Sequence, residues 1–235
     1  MVDIHIHVIP GIDDGSDNIE ESLSMLRIAA AQGVTSVVAT PHSSAFDFGY
    51  DQVLRAYADL QNAVSEQKIP VRVLLGAEIL CYESDMDEVI HYLQMGIYPT
   101  LNHTRYVLAE FFPNASNKAI YYCLRRLQQA GFIPVLAHAE RYHNFDLESA
   151  CELHSEGILI QINVYSVKQE NYDRIKKRVR SLLEHHLVDF VGSDAHGMQH
   201  RPPSYTPGAE YLYENYDRLY VDRILKDNAV KLLQA

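Results

Sequence analysis

Two histidines one residue apart, His5 and His7, stand near the start of a chain of 235 residues. On a β-strand, side chains alternate between faces, so this pair points one way and can chelate a metal ion. The same residue types recur at intervals. Thr40-Pro41-His42, Gly76-Ala77-Glu78, Ala109-Glu110, Ala137-His138 and Ser193-Asp194-Ala195-His196 each close an aliphatic run, and Asp14 lies in a glycine-bounded loop able to fold back over such ends. His5, His7, Asp14, His42, Glu78, Glu110, His138, Asp194 and His196 make five imidazoles and four carboxylates. That exceeds what one ion needs and suits two or three, and nitrogen and oxygen donors without thiolate favour Mn²⁺, Fe or Zn²⁺ over copper(I). A lone strand-end histidine or a lone buried glutamate is as readily structural. Several unpaired carboxylates at one point would each cost several kcal/mol unless cations neutralised them.

Two arginines accompany the set. Arg141 follows His138 by three positions and Arg201 follows His196 by five. A guanidinium there can grip phosphate oxygens with two parallel hydrogen bonds, whereas a surface salt bridge is the plainer role for either alone. A cysteine-based phosphatase needs an arginine six positions after its nucleophile. Asp87, Gln129 and Gly157 occupy that position after Cys81, Cys123 and Cys151. There is no Gly-x-Ser-x-Gly elbow either. His91, His103, His154, His185 and His186 fall on helices or loops away from the metal-type residues, and His143 and His200, nearer to them, also read as surface.

The elements that must position these groups alternate. Strands are expected over residues 2–8, 34–40, 71–76, 106–111, 133–138, 159–164 and 188–193, each rich in Val, Ile or Leu as in strands buried on both faces. Helices are expected over 17–31 (capped by Ser16 or Asp17 and stopped by Gly33), 51–67, 116–130, 147–156 and 172–186, with more helix in 208–235. Strand–helix alternation gives a parallel sheet, open or closed. Residues 10–15 match neither GxGxxG nor a P-loop, so the open dinucleotide-type sheet lacks its mark. Six of the seven strands deliver a His, Asp or Glu at their C-terminal end, where a βα barrel carries its active site; the other ends in Gln161-Ile162-Asn163.

The composition fits a single domain over residues 1–235. No apolar run is long enough to span a bilayer, and no basic stretch followed by an apolar core opens the chain. Three scattered cysteines suit a reducing cytoplasm rather than a disulfide framework. A net charge of −11 argues against a nucleic-acid binder.

These pieces, in order from Asp3-Ile-His-Ile-His7 through Asp13-Asp14-Gly15, Thr40-Pro41-His42, Gly76-Ala77-Glu78, Glu110, His138-Ala-Glu-Arg141 and Ser193-Asp-Ala-His196 to Arg201-Pro202-Pro203, resemble the PHP (polymerase and histidinol phosphatase) superfamily of metal-dependent phosphoesterases. More narrowly, the chain resembles the manganese-dependent protein-tyrosine phosphatases of bacterial capsule and exopolysaccharide operons. The resemblance implies an α/β fold, a distorted (β/α)7 TIM-like barrel, with a trinuclear site ligated by the nine residues above. It implies that Arg141 and Arg201 bind phosphate and that Asp3 orients a histidine. Its substrate would be phosphotyrosine, above all on the tyrosine-rich tail of a tyrosine autokinase controlling polysaccharide synthesis. Rival readings are a histidinol-phosphate phosphatase, a noncatalytic metal-binding regulator of a kinase and, disfavoured by charge, an exonuclease. The oligomeric state stays open.

Overall fold

Each expected aliphatic run forms a strand, and each strand is shorter than the run that carries it. In the computed structural model, which describes residues 1–168 and 173–234, the order is β1 (Val2–Ile6), α1 (Ile19–Ala31), β2 (Ser36–Ala39), α2 (Ser44–Glu66), β3 (Arg72–Leu75), β4 (Glu78–Leu80), α3 (Met86–Met95), β5 (Tyr106–Glu110), α4 (Asn117–Gln129), β6 (Ile133–Leu136), α5 (Leu147–Ser155), β7 (Leu159–Asn163), α6 (Val164–Val167), α7 (Asp173–Glu184), β8 (Phe190–Gly192), α8 (Thr206–Asn215), α9 (Arg218–Asp222) and α10 (Asn228–Gln234). The expected helix start at 172 and chain end at 235 lie outside the described residues.

All strand pairs are parallel, in a sheet β1-β2-β3 and a sheet β4-β5-β6-β7-β8. The third expected strand, 71–76, forms β3, and a short strand outside the expected set, β4, follows it. β3 pairs with β2, and after Gly76-Ala77 the chain resumes as β4 against β5. A Cβ on Gly76 would lie 2.9 Å from both Leu101 and Val38 side chains, so the break needs a glycine. A bridge from His42 to Glu78 joins the sheets on one side. On the other, Asp194 N donates to His5 O (2.8 Å) and His7 N to Ala195 O (3.0 Å). The result is a closed barrel of seven staves, one of them kinked.

Its interior is filled by Val2, Ile4, Val38, Leu74, Leu108, Val135 and Phe190, and the end remote from His5 is closed by Leu101 and by Ala229 and Leu232 of α10. Ile4 would face away from His5 in a regular strand. A register shift in β1 between Asp3 and Ile6 removes that conflict: the extra residue turns Ile4 toward the interior cluster while His5 and His7 keep to the mouth above it. Helix α1 starts two residues later than expected. Asn18, rather than Ser16 or Asp17, caps it by accepting from Glu21 N, and Gly33 ends it at φ +84°. Helix α2 begins ahead of the expected 51 and is interrupted at Gly49. Helix α3, with apolar Met86, Val89 and Leu93 inward, lies outside the expected helices. Among the described residues, no helix is long and apolar enough to cross a membrane.

Candidate metal centre

The nine metal-type side chains lie together at the C-terminal ends of the strands. Their donor atoms form four sets, each with all atoms within 4.8 Å of one another: His7, Asp14, His42 and His196; His5, Glu78 and His138; His5, His7 and Asp194; His42, Glu78 and Glu110. Shared members make one continuous cluster. His5, His7, Glu78, His138 and Asp194 are buried, while Asp14 at its outer edge is 68 % exposed and faces His42 Nε2 (3.2 Å) and His196 Nε2 (3.5 Å). The loop bearing Asp14 does fold back over the mouth. Gly15 makes that turn possible, since a Cβ there would overlap the carbonyl oxygen of His7.

Backbone conformation aims two of the donors. His138 (φ +31°) and Asp194 (φ +50°) both follow strand ends in the left-handed region, an arrangement that costs non-glycine residues about 1–2 kcal/mol. Strand alternation alone would point Asp194 and His196 the same way, as it does His5 and His7, but no strand carries them. β8 has already ended, and the left-handed turn brings Asp194 Oδ1 to 3.4 Å from His196 Nδ1.

The second ring nitrogens decide what the first ones offer. His7 Nδ1 donates to Asp13 Oδ2 (2.7 Å) and His5 Nδ1 to Gln161 Oε1 (3.2 Å). The orientation of Gln161 is fixed, because its Nε2 donates to Ile162 O and Asn163 Oδ1 while Oε1 also accepts from His138 N. The Nε2 atoms of His5 and His7 are left 3.3 Å apart, each 3.2 Å from an oxygen of Glu78. Asp194 Oδ1, buried, has no hydrogen-bond partner among the described residues, yet lies 3.4 Å from His5 Nε2 and 3.7 Å from His7 Nε2. Facing ring nitrogens and carboxylates require positive charge between them, as protons or as cations. The pull is visible on the rings: burial opposes protonation of His138, but Glu110 and Glu78 outweigh it and raise the imidazole to about 10. Burial likewise opposes ionisation of Asp13, and the His7 bond outweighs it, holding the carboxyl at about 2. His196 moves the other way, lowered by burial and by His7.

Arg141 and Arg201 converge on the opposite oxygen of the same carboxylate. Their Nη1 atoms lie 3.2 and 2.6 Å from Asp194 Oδ2, which also accepts from Asn163 Nδ2 (2.8 Å). Both guanidiniums are about one-third exposed, so they border the cluster on its solvent side.

Asp3 does hold a histidine, but by its backbone rather than its ring. Its buried Oδ1 accepts from the backbone N–H groups of His5 and Ser193, both at 3.1 Å, so it ties β1 to the segment after β8. The ring-orienting work falls to Asp13 and Gln161, neither of which is among the expected site residues. Their signal was a second carboxylate in the glycine-bounded loop and amides where the other strands end in His, Asp or Glu. Cys81 and Cys123 are buried, and burial pushes the Cys123 thiol up to about 12. Among the remaining histidines, His91, His103, His143, His185, His186 and His200 are exposed, and His154 pairs with Asp189.

A parallel barrel that gathers such donors at one mouth belongs to the class of TIM-barrel-like metal-dependent hydrolases. Within that class, the chain belongs to the family described as capsular polysaccharide synthesis, CpsB/CapC, whose model matches residues 1–234. It is 32 % identical to the tyrosine-protein phosphatase CpsB of Streptococcus agalactiae serotype III (strain NEM316), over 100 % of this chain and 98 % of that one. It is 32 % identical to the tyrosine-protein phosphatase YwqE of Bacillus subtilis (strain 168), over 100 % and 92 %. A solved structure among those of YwqE from Bacillus subtilis and CpsB from Streptococcus pneumoniae, unique metal-dependent tyrosine phosphatases, superposes with TM-score 0.84 at 29 % identity, covering 100 % of this chain and 94 % of that one.

Proposed function

We propose that this chain, a metal-dependent tyrosine-protein phosphatase of the CpsB/CapC family, uses its strand-end cluster to hydrolyse phosphotyrosine with two or three Mn²⁺ ions. The ligands in this reading are His5, His7, Asp14, His42, Glu78, Glu110, His138, Asp194 and His196, with Arg141 and Arg201 on the phosphate. The observation that carries it is the buried Asp194 carboxylate, with Oδ1 unpartnered toward the imidazoles and Oδ2 shared by both arginines. Metal ions bound there supply Lewis acidity, lowering the pKa of water toward 7 and neutralising phosphoryl charge.

The chain's own groups do the rest. Asp13 and Gln161 keep the Nδ1 protons of His7 and His5, so their Nε2 lone pairs face the centre. Arg141 and Arg201 orient the phosphoryl oxygens beside Asp194 and stabilise charge that builds there during in-line attack. Tyrosinate leaves with a pKa near about 10, a moderate leaving group that needs little protonation. Residues 1–235 act as one phosphoesterase domain in the cytoplasm, a placement supported by three free cysteines. The substrate is the tyrosine-rich tail of a bacterial tyrosine autokinase governing capsule or exopolysaccharide synthesis. The test is hydrolysis of a phosphotyrosine peptide after chelation and after Mn²⁺ is restored. Activity that vanishes and returns is expected; full activity in excess chelator, with no metal by elemental analysis, sinks the reading.

A further inference from the structure

The cluster opens sideways into a cavity of about 780 Å³, whose inner end is formed by His42, Glu110, His138 and Arg141. Its character changes along its length. Two residues past Glu110, Phe112 is 51 % exposed, whereas its neighbour Phe111 is buried against Tyr142. Phe112 stands beside Tyr82, which follows β4, with ring centroids 5.2 Å apart. Asp85 and Glu88, at the start of α3, also line the wall; Glu88 Oε1 accepts from the Tyr92 hydroxyl (2.7 Å), and neither carboxylate forms an ion pair among the described residues. Arg141 is the only Lys or Arg in that wall among the described residues.

We propose that this cavity seats the peptide segment around phosphotyrosine and selects substrates with Lys or Arg beside the phosphorylated residue. The inference rests on the phosphotyrosine reading above. The dianionic phosphate is drawn to the arginine end and repelled by the acidic wall, which fixes its direction in the cavity. The phenyl ring then meets Phe112 and Tyr82, which offer the offset or edge-to-face contact that aromatic rings favour. Asp85 and the Oε2 of Glu88 face cationic side chains that flank it. A free phosphate or an alkyl phosphate makes none of these outer contacts.

The test uses the Mn²⁺-loaded enzyme and two peptides, with phosphotyrosine flanked by lysines or by glutamates. Binding is read by calorimetry on difluoromethylphosphonate analogues, beside kcat/KM on the phosphopeptides. Wild-type should prefer the lysine peptide by about 10-fold at low salt, less as salt rises. Asp85→Asn with Glu88→Gln should bring that ratio within about 2-fold. Phe112→Ala should weaken both analogues by roughly 2- to 10-fold, with Phe112→Tyr restoring them. These side chains are exposed, and an unchanged melting temperature verifies the fold. Equal handling of the two peptides by wild-type, or unchanged binding by Phe112→Ala, overturns the inference while phosphotyrosine hydrolysis stands. Failure to hydrolyse either phosphopeptide removes the function reading and this one with it.

Discussion

Asp194 joins two chemistries through one carboxylate, and substitutions around it separate them. Arg201 Nη1 lies 2.6 Å from Oδ2, on the side away from the imidazoles. Arg201→Ala should therefore keep the metals and lose phosphate contacts of roughly 1.5–3 kcal/mol, a fall of about 10- to 150-fold in kcat/KM. Lysine should rescue in part, because it lacks the two-pronged geometry. Asp194→Ala should instead lower metal content, so stoichiometry measured beside kinetics distinguishes the roles. Wild-type kinetics for Arg201→Ala would leave the phosphate to Arg141 and the metals. Asp13 makes a separate case. It accepts from His7 Nδ1 and from His42 N, and it contributes no atom to the four donor sets. Asp13→Asn should weaken Mn²⁺ binding by about 10- to 100-fold, the usual effect of losing an orienting carboxylate. Calorimetric affinity equal to wild-type would deny Asp13 that role.

Among the elements, α5 and the lead into β8 are coupled by a histidine–aspartate pair. His154 Nε2 lies 3.5 Å from Asp189 Oδ1, and Asp189 Oδ2 accepts from Ile160 N of β7. The bond to Asp189 raises the His154 pKa, burial opposing in part. A histidine whose folded pKa is raised stabilises fully below its unfolded value near about 6.5, and that contribution is lost as pH climbs through the folded pKa. His154→Gln should thus lower the melting temperature more at pH 5.5 than at pH 8.5. The pair is partly exposed, so the difference should be a few tenths of a kcal/mol, about 1 °C. Calorimetric melts of both proteins at both pH values decide it; a larger deficit at pH 8.5 would reverse the assigned sign.

For the whole molecule, the cluster draws on staves around the entire barrel, from β1 to the segment after β8. An ion bound across them would hold the closure between β1 and β8 and stabilise the native state by mass action, about 2.7 kcal/mol at 100 times Kd. Chelation should lower the melting temperature by several degrees and Mn²⁺ should restore it. A melt indifferent to chelator and Mn²⁺ would show that the cluster does not couple to folding.

Much was legible in one dimension because the determinants are local. Aliphatic runs mark strands wherever they fall, and the glycine-bounded Asp13-Asp14-Gly15 turn and the His, Asp and Glu residues at strand ends are read off the sequence directly. Parallel βα alternation then brings those ends to one mouth, so the nine residues could be gathered without coordinates. What alternation cannot report is a change of register. The bulge that puts Ile4 inside below His5, the break that splits one stave into β3 and β4, and the left-handed turns at His138 and Asp194 each reverse or redirect a side chain by one residue's geometry. Asp3 shows the same limit: adjacent to the histidine pair in sequence, it binds backbone N–H groups, while the distant Gln161 holds the ring of His5. The sequence by itself determined which chemical groups reach the mouth. Only the tertiary structure decided which lone pair each one presents, because a tautomer or a carboxylate oxygen is selected by partners from other strands.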